Sequence, residues 1–149
     1  MNIVRQTRSV PFAFRKAVET CLKCIPIGDL AGLERVELWG SLADIPDVAL
    51  VGKKICELEP SWVKALYRRR SESSPAFIIL FVDSIYFPLE LLNRLPPILT
   101  IYLCHFVAHE IGHHLIKERG YVFTPDEKYP SSEIEEEMAN RYAFEITTR

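Results

Sequence analysis

The feature that most constrains this chain is the run His109-Glu110-Ile111-Gly112-His113, set inside the apolar stretch from Ile98 to Arg119. On a helix, side chains four positions apart share a face. Both imidazoles can then meet on one metal ion, while Glu110, one position round, leans over the same ion. Zinc is the natural occupant, because neutral imidazole suits it and a tetrahedral set leaves one position for water. This spacing is the sequence signature of a zinc peptidase. It asks three things of the rest of the chain: a scaffold for the helix, a third ligand and a groove.

A helix that merely happens to carry polar residues is the competing reading. It is weak, because two histidines and a glutamate within an apolar stripe are costly to bury without a partner. The stripe consists of Leu99, Leu103, Phe106, Val107, Ile111 and Leu115, so the helix is expected to be mostly buried. Pro96-Pro97 makes a break before it, and proline is tolerated in a first helical turn. Gly112 costs about 1 kcal/mol of helix propensity, and a small side chain there lets another backbone approach closely. Gly120 is expected to end the helix, with Lys117 and Arg119 against the negative end of its dipole.

Elsewhere, Phe12 to Leu22 places Phe14, Ala17, Val18, Cys21 and Leu22 at helical spacing, with Pro11 in a first-turn position. Leu33 to Trp39 favours a strand, and Gly40-Ser41 breaks it. Asp44 to Pro60 has no clean period and reads as loop, with room for a short helix around Val48 to Leu58. Trp62 to Arg70 and Ala76 to Phe87 read as two strands. The second contains Phe77-Ile78-Ile79-Leu80-Phe81-Val82, a nearly unbroken run that implies burial on both faces. Leu89 to Leu95 suits a short helical turn, and Tyr121 to Pro130 a loop. A last helix is expected from Glu133 to about Ile146, capped by Ser131 or Ser132, with Ile134, Met138, Tyr142 and Ile146 on one side.

The length of 149 residues suits a single domain spanning residues 1–149. A net charge of -2 argues against a direct nucleic-acid partner, since phosphate neutralisation needs a basic surface. Arg68-Arg69-Arg70 is the only basic run and suits a solvated turn flank. The start, Met1-Asn2-Ile3-Val4-Arg5-Gln6, has no secretory pattern, and Leu95 to Ile116 carries too many histidines and charges for a membrane span. Cys21 and Cys24 form one CxxC without a second matching pair. The four cysteines, with Cys56 and Cys104, therefore read as thiols in a reducing cytoplasm.

A zinc peptidase needs a third ligand. The long motif with a third histidine is excluded, because Ile116 stands at its glycine position and Arg119 at its last ligand position. The other option is an acidic residue on a following helix, for which Glu133 to Glu137 supply candidates. Those acidic residues also suit a helix N-terminus for its own sake.

Glu136-Glu137-Met138-Ala139-Asn140-Arg141-Tyr142-Ala143 resembles the E-x-x-A-N-x-[FY]-A element that follows H-E-x-G-H in the ImmA/IrrE family of gluzincin-type peptidases. The two motifs cover Leu99 to Phe144. Residue by residue, the resemblance puts the glutamate ligand on Glu136, with Glu135 and Glu137 as alternatives. It implies an α+β fold in which a small mixed or antiparallel sheet packs on a buried HExxH helix and a C-terminal helix carries the third ligand, a minimal zincin-like arrangement. It also implies one catalytic Zn2+ and a peptide or protein substrate, with limited cleavage of a regulatory protein such as a transcriptional repressor. The peptide is expected to pair with a strand edge along part of Phe77 to Asp83.

In that arrangement Glu110 is not a ligand. It is expected to take a proton from the water that the metal activates and return it to the leaving amine. Tyr121, Tyr129, His105 and His114 are candidates for stabilising the oxyanion, although His114 points about 100° away from its ligand neighbour. Asn140 is placed to support a ligand from behind. Two rivals are a zinc-stabilised protein-binding module without turnover and a toxin–antitoxin or phage-related partner protein. An intact Glu110 argues against the first, because a structural metal site needs no general base.

Overall fold

A parallel β-α-β unit opens the chain. Strands β1 (Asn2–Arg5) and β2 (Leu33–Trp39) lie side by side in parallel, and helix α1 (Phe12–Cys24) makes the crossover that parallel neighbours require. The computed structural model describes residues 1–7, 10, 12–46, 55, 57–59, 62–86, 96–119 and 132–149. Phe14, Ala17, Val18 and Cys21 form the buried face of α1, as their spacing predicts. Strand β2 matches its expected bounds. Strand β1 was not foreseen: it is short, and its pairing of Ile3 with Val36 is a long-range contact that no local pattern announces.

Strands β3 (Ala65–Arg68) and β4 (Ala76–Phe81) form an antiparallel hairpin, and β4 also pairs in parallel with β2. The result is a four-stranded mixed sheet of order β1-β2-β4-β3 in an α+β chain. Every residue of β4 is buried, as its unbroken apolar run implies. Val36, Leu38, Ile78 and Leu80 join the helices in the main core. On the opposite face, Trp39, Phe77, Ile79 and Phe81 form a second core with Leu42 and Val63.

Three expectations are corrected here. The second strand stops at Phe81 instead of Phe87, and helix α2 (Val82–Tyr86) follows it. The ladder with β2 ends at the Trp39–Phe81 pair, and the Asp83 amide then donates to the Gly40 carbonyl at 2.8 Å. Val82 and Ile85 are buried from the helix, so burial overrides their strand preference. The first strand of the hairpin begins at Ala65, and Trp62 is 74% exposed. Finally, β4 is bonded on both sides and Asp83 is helical, so Phe77 to Asp83 offers no free edge for a peptide. The edges of this sheet are β1 and β3.

Helix α3 (Pro96–Arg119) carries the histidine motif and starts on the proline pair. Leu99, Leu103, Val107, Ile111 and Leu115 are buried along it. Helix α4 (Ser132–Thr147) packs across it. The buried residues of α4 are Ala139, Ala143 and Ile146, whereas Ile134 is 37% exposed. Of the expected stripe, Ile146 is buried and Tyr142 packs against the core, but Ala139 and Ala143 make the closest face, and Gly112 supplies the reason. A Cβ on Gly112 would stand 2.7 Å from the Ala139 Cα, so the two helices touch through glycine and alanine rather than through large side chains.

The short helix proposed around Val48 to Leu58 lies mostly outside the described residues. The turn at Leu89 to Leu95, Cys56, Gly120 and the loop Tyr121 to Pro130 lie outside them altogether. Among the described residues no helix is long and apolar enough to cross a membrane.

Candidate metal centre

The close α3–α4 contact sets the acidic start of α4 against the histidines of α3. The Nε2 atoms of His109 and His113 stand 3.1 Å apart. Glu136 straddles them, with Oε2 3.3 Å from His109 Nε2 and Oε1 3.2 Å from His113 Nε2. Among the described residues this is the one group of three or more His, Cys, Asp or Glu side chains whose ligand atoms converge, all within 4.8 Å. Atoms bearing lone pairs repel at such distances unless a proton or a cation lies between them. The spacing fits a metal: nitrogen atoms each 2.0–2.1 Å from a tetrahedral zinc lie ~3.3 Å apart. The histidine side chains are largely covered while that of Glu136 is 57% exposed, so the open side of the cluster faces solvent past Glu136.

Glu135, one of the alternative ligands, has a different task. Its Oε1 lies 2.8 Å from His113 Nδ1, on the side of the ring away from the cluster, and its Oε2 takes Lys117 Nζ at 2.9 Å. Burial pushes the Glu135 carboxyl up, but the hydrogen bonds from Lys117 and His113 outweigh it and hold the group below its ordinary value. An ionised carboxylate only accepts, so His113 Nδ1 donates and Nε2 keeps its lone pair for the cluster. Glu137, the other alternative, is exposed and lies 3.9 Å from Arg141.

Glu110 is buried beside the cluster. Burial, reinforced by the charge of Glu136, raises its pKa to about 8, against a lowering hydrogen bond from the Tyr67 backbone. His109 moves the other way. Burial and the neighbouring His113 lower its pKa, while Glu136 and a side-chain hydrogen bond with Asn140 oppose the shift. Its imidazole is thus held neutral, the form a metal needs. Asn140 is thus hydrogen-bonded to His109, one of the three converging side chains.

His114 is removed from the oxyanion candidates. It is buried on another face of α3, where Nε2 donates to the Ala31 carbonyl at 2.8 Å and Nδ1 meets the Tyr67 hydroxyl at 3.1 Å. Both ring nitrogens are spent on the scaffold. The Gly32 backbone at φ +89 passes close by: a Cβ there would meet His114 at 3.4 Å. His105 stacks edge-on against Phe106 and lowers the His109 pKa slightly, but does not join the converging set. Tyr121 and Tyr129 lie outside the described residues.

Sequence reasoning missed the contacts of Lys117 and Tyr67, and it considered Glu135 only as an alternative to Glu136, not as a partner of His113. The Glu135–Lys117 pair had a faint signal, a basic residue four positions after His113 facing an acidic helix start. The role of Tyr67 had none, because it depends on where β3 meets α3. No family model matches the chain, and no curated protein matches it significantly.

Proposed function

We propose that the chain is a metal-dependent peptidase of minimal zincin type, with His109, His113 and Glu136 as ligands and Glu110 as general base. The observation that carries this reading is the convergence of His109 Nε2, His113 Nε2 and the Glu136 carboxylate at 3.1 to 3.3 Å. The resemblance of the two motifs to ImmA/IrrE peptidases points the same way. Zinc is the proposed ion, on the strength of two imidazoles and one carboxylate at tetrahedral spacing.

A divalent ion held there would supply a Lewis acid that acidifies water and polarises a carbonyl. The remaining work belongs to the protein. Glu135 and Lys117 hold the His113 ring, and Asn140 steadies His109. Glu110 sits next in the chain to His109 and near enough to Glu136 to feel its charge. Beside such an ion the Glu110 carboxyl would favour its ionised form. Glu110 then accepts the proton of the attacking water and delivers it to the leaving nitrogen. The substrate would be an extended peptide reaching the cluster from the solvent side of Glu136, and β3 is the sheet edge next to α3 that remains for it. Cleavage of a regulatory protein in the cytoplasm is the role the resemblance suggests.

Elemental analysis of the purified protein tests the reading. Near-stoichiometric zinc in the wild type and in Glu110→Gln, with loss in Glu136→Ala, is the expected result. Absence of metal from the wild type after growth in zinc would overturn it.

A further inference from the structure

Cys21 and Cys24 on α1 and Cys104 on α3 belong to two helices that pack on each other. Cys21 is fully buried on α1, and its Sγ lies 3.3 Å from the carbonyl oxygen of Thr100 on α3. Thr100 precedes Cys104 by one helical turn, so this carbonyl stands beside the Cys104 side chain. The buried Cys104 is hydrogen-bonded to Cys21. Cys24, the last residue of α1 and one turn after Cys21, is exposed. The thiols do not join the converging ligand set at the metal centre.

The two buried thiols differ in character. The hydrogen bond with Cys104, together with burial, pushes the Cys21 thiol far up, while the same bond holds Cys104 below its ordinary range against the opposing effect of burial. Cys21 gives its thiol hydrogen to the Thr100 carbonyl and faces Cys104 across the same contact between α1 and α3.

We propose that Cys21 and Cys104 form a dithiol that hydrogen peroxide converts to a disulfide, stapling α1 to the metal-bearing helix, with Cys24 as the thiol that meets the oxidant. Cys24 attacks one peroxide oxygen, the O–O bond breaks, and a sulfenic acid and one water result. Cys21 displaces the sulfenic hydroxyl, giving a Cys21–Cys24 disulfide and a second water that carries the thiol proton. Cys104 then attacks the Cys21 sulfur, and Cys24 leaves and takes the proton that Cys104 gave up. Two thiols are oxidised and one peroxide is reduced to two waters. Side chains three apart on a helix lie about 5–6 Å apart at Cβ, and the helix ends at Cys24, so its last turn can close the short-lived first bond. The inference does not depend on the metal-site reading.

The test treats the full chain with hydrogen peroxide, blocks free thiols with iodoacetamide and maps linked peptides by mass spectrometry. Unfolding temperature is measured before oxidation, after it, and after dithiothreitol. The expected result is a Cys21–Cys104 link, a Tm raised by ~5 °C or more because the bond closes a long loop, and reversal by dithiothreitol. Cys24→Ser should form the link much more slowly than the wild type, and Cys104→Ser should accumulate Cys21–Cys24. The proposal is overturned if Cys21 and Cys104 stay open to iodoacetamide after denaturation, or if the final link runs to Cys24 or Cys56. A lowered Tm on oxidation, or a wild-type rate in Cys24→Ser, would also overturn it.

Discussion

His113 donates its Nδ1 proton to Glu135 across 2.8 Å, and so presents Nε2 to His109 Nε2 at 3.1 Å. One ring is thereby anchored on one side and left open on the other. Lys117, 2.9 Å from the far oxygen of Glu135, keeps that carboxylate ionised and in place. Adjacent glutamates on α4 thus have separate tasks, one turned to the back of the histidine and one to its front. Adjacent positions on α4 lie 100° apart, and here they reach opposite edges of the same imidazole.

Glu135 and Glu136 should separate in a metal-affinity measurement. Removing an orienting carboxylate typically costs 10–100-fold in affinity, so Glu135→Ala is expected to bind zinc about that much more weakly while keeping its stoichiometry. Glu136→Ala removes the proposed third ligand and should lose stoichiometric binding. Competition against a chromophoric chelator reads both. Equal losses in the two variants would make Glu135 a ligand and refute the assignment.

Gly112 should tolerate no side chain. The added Cβ of Gly112→Ala would meet the Ala139 Cα at 2.7 Å and its carbonyl oxygen at 3.3 Å, both backbone atoms that cannot turn aside. Forcing the helices apart is expected to cost ~2 kcal/mol or more, despite the better helix propensity of alanine, and to weaken zinc binding. Ala139→Gly in the same chain removes only the Cβ contact at 3.1 Å and should rescue little. Denaturant melts of the single and double variants decide the matter, and a stabilised Gly112→Ala would contradict the packing described.

Legibility followed the range of the interactions. The two histidines share one helix, so their spacing alone placed them on one face. Strand β4 announced itself because six consecutive buried residues need a run of apolar side chains. The proposed third ligand was different: Glu133 to Glu137 are alike as a sequence, and which of them faces Nε2 depends on how α4 packs on α3. The resemblance to a known motif, not spacing, singled out Glu136. Strand β1 and the turn into α2 were hidden for the same reason. A four-residue strand exists by pairing with β2, and Val82 to Tyr86 is helical although its residues favour strands. The stripe predicted for α4 held at Tyr142 and Ile146 and missed Ala139 and Ala143, because large apolar residues were weighed above alanines, which mark the closest helix contact.

His114 ties three elements together, and its loss should destabilise the fold without removing a ligand. The ring joins Ala31, before β2, to Tyr67 on β3. Replacing it by Phe removes both hydrogen bonds, at about 1 kcal/mol for each, since Ala31 is exposed and Tyr67 half-buried and water can take up their groups. Tyr67→Phe, which removes one hydrogen bond, should cost about 1 kcal/mol. Urea melts check the magnitudes, and elemental analysis of each folded variant should still find near-stoichiometric zinc. A His114→Phe protein of wild-type stability that had lost its metal would place His114 in the site instead.

Glu110 makes the metal-free protein sensitive to pH in a defined direction. Its ordinary value is 4.5, and burial with the Glu136 charge raises it to about 8 in the folded chain. Between those two values the folded state holds a proton that the unfolded state has released, so this group's contribution to stability falls as pH rises from about 4.5 to 8. Glu110→Gln keeps the shape and removes the titration. With a chelator present, the wild type is therefore expected to lose several degrees of Tm between pH 5 and pH 8 relative to Glu110→Gln. Adding zinc should narrow the gap, because a neighbouring dication stabilises the carboxylate. Thermal melts of the two proteins across that range, with and without zinc, give the answer. Parallel curves without metal would mean that Glu110 is ionised in the folded chain throughout, and the buried acid described here would be wrong.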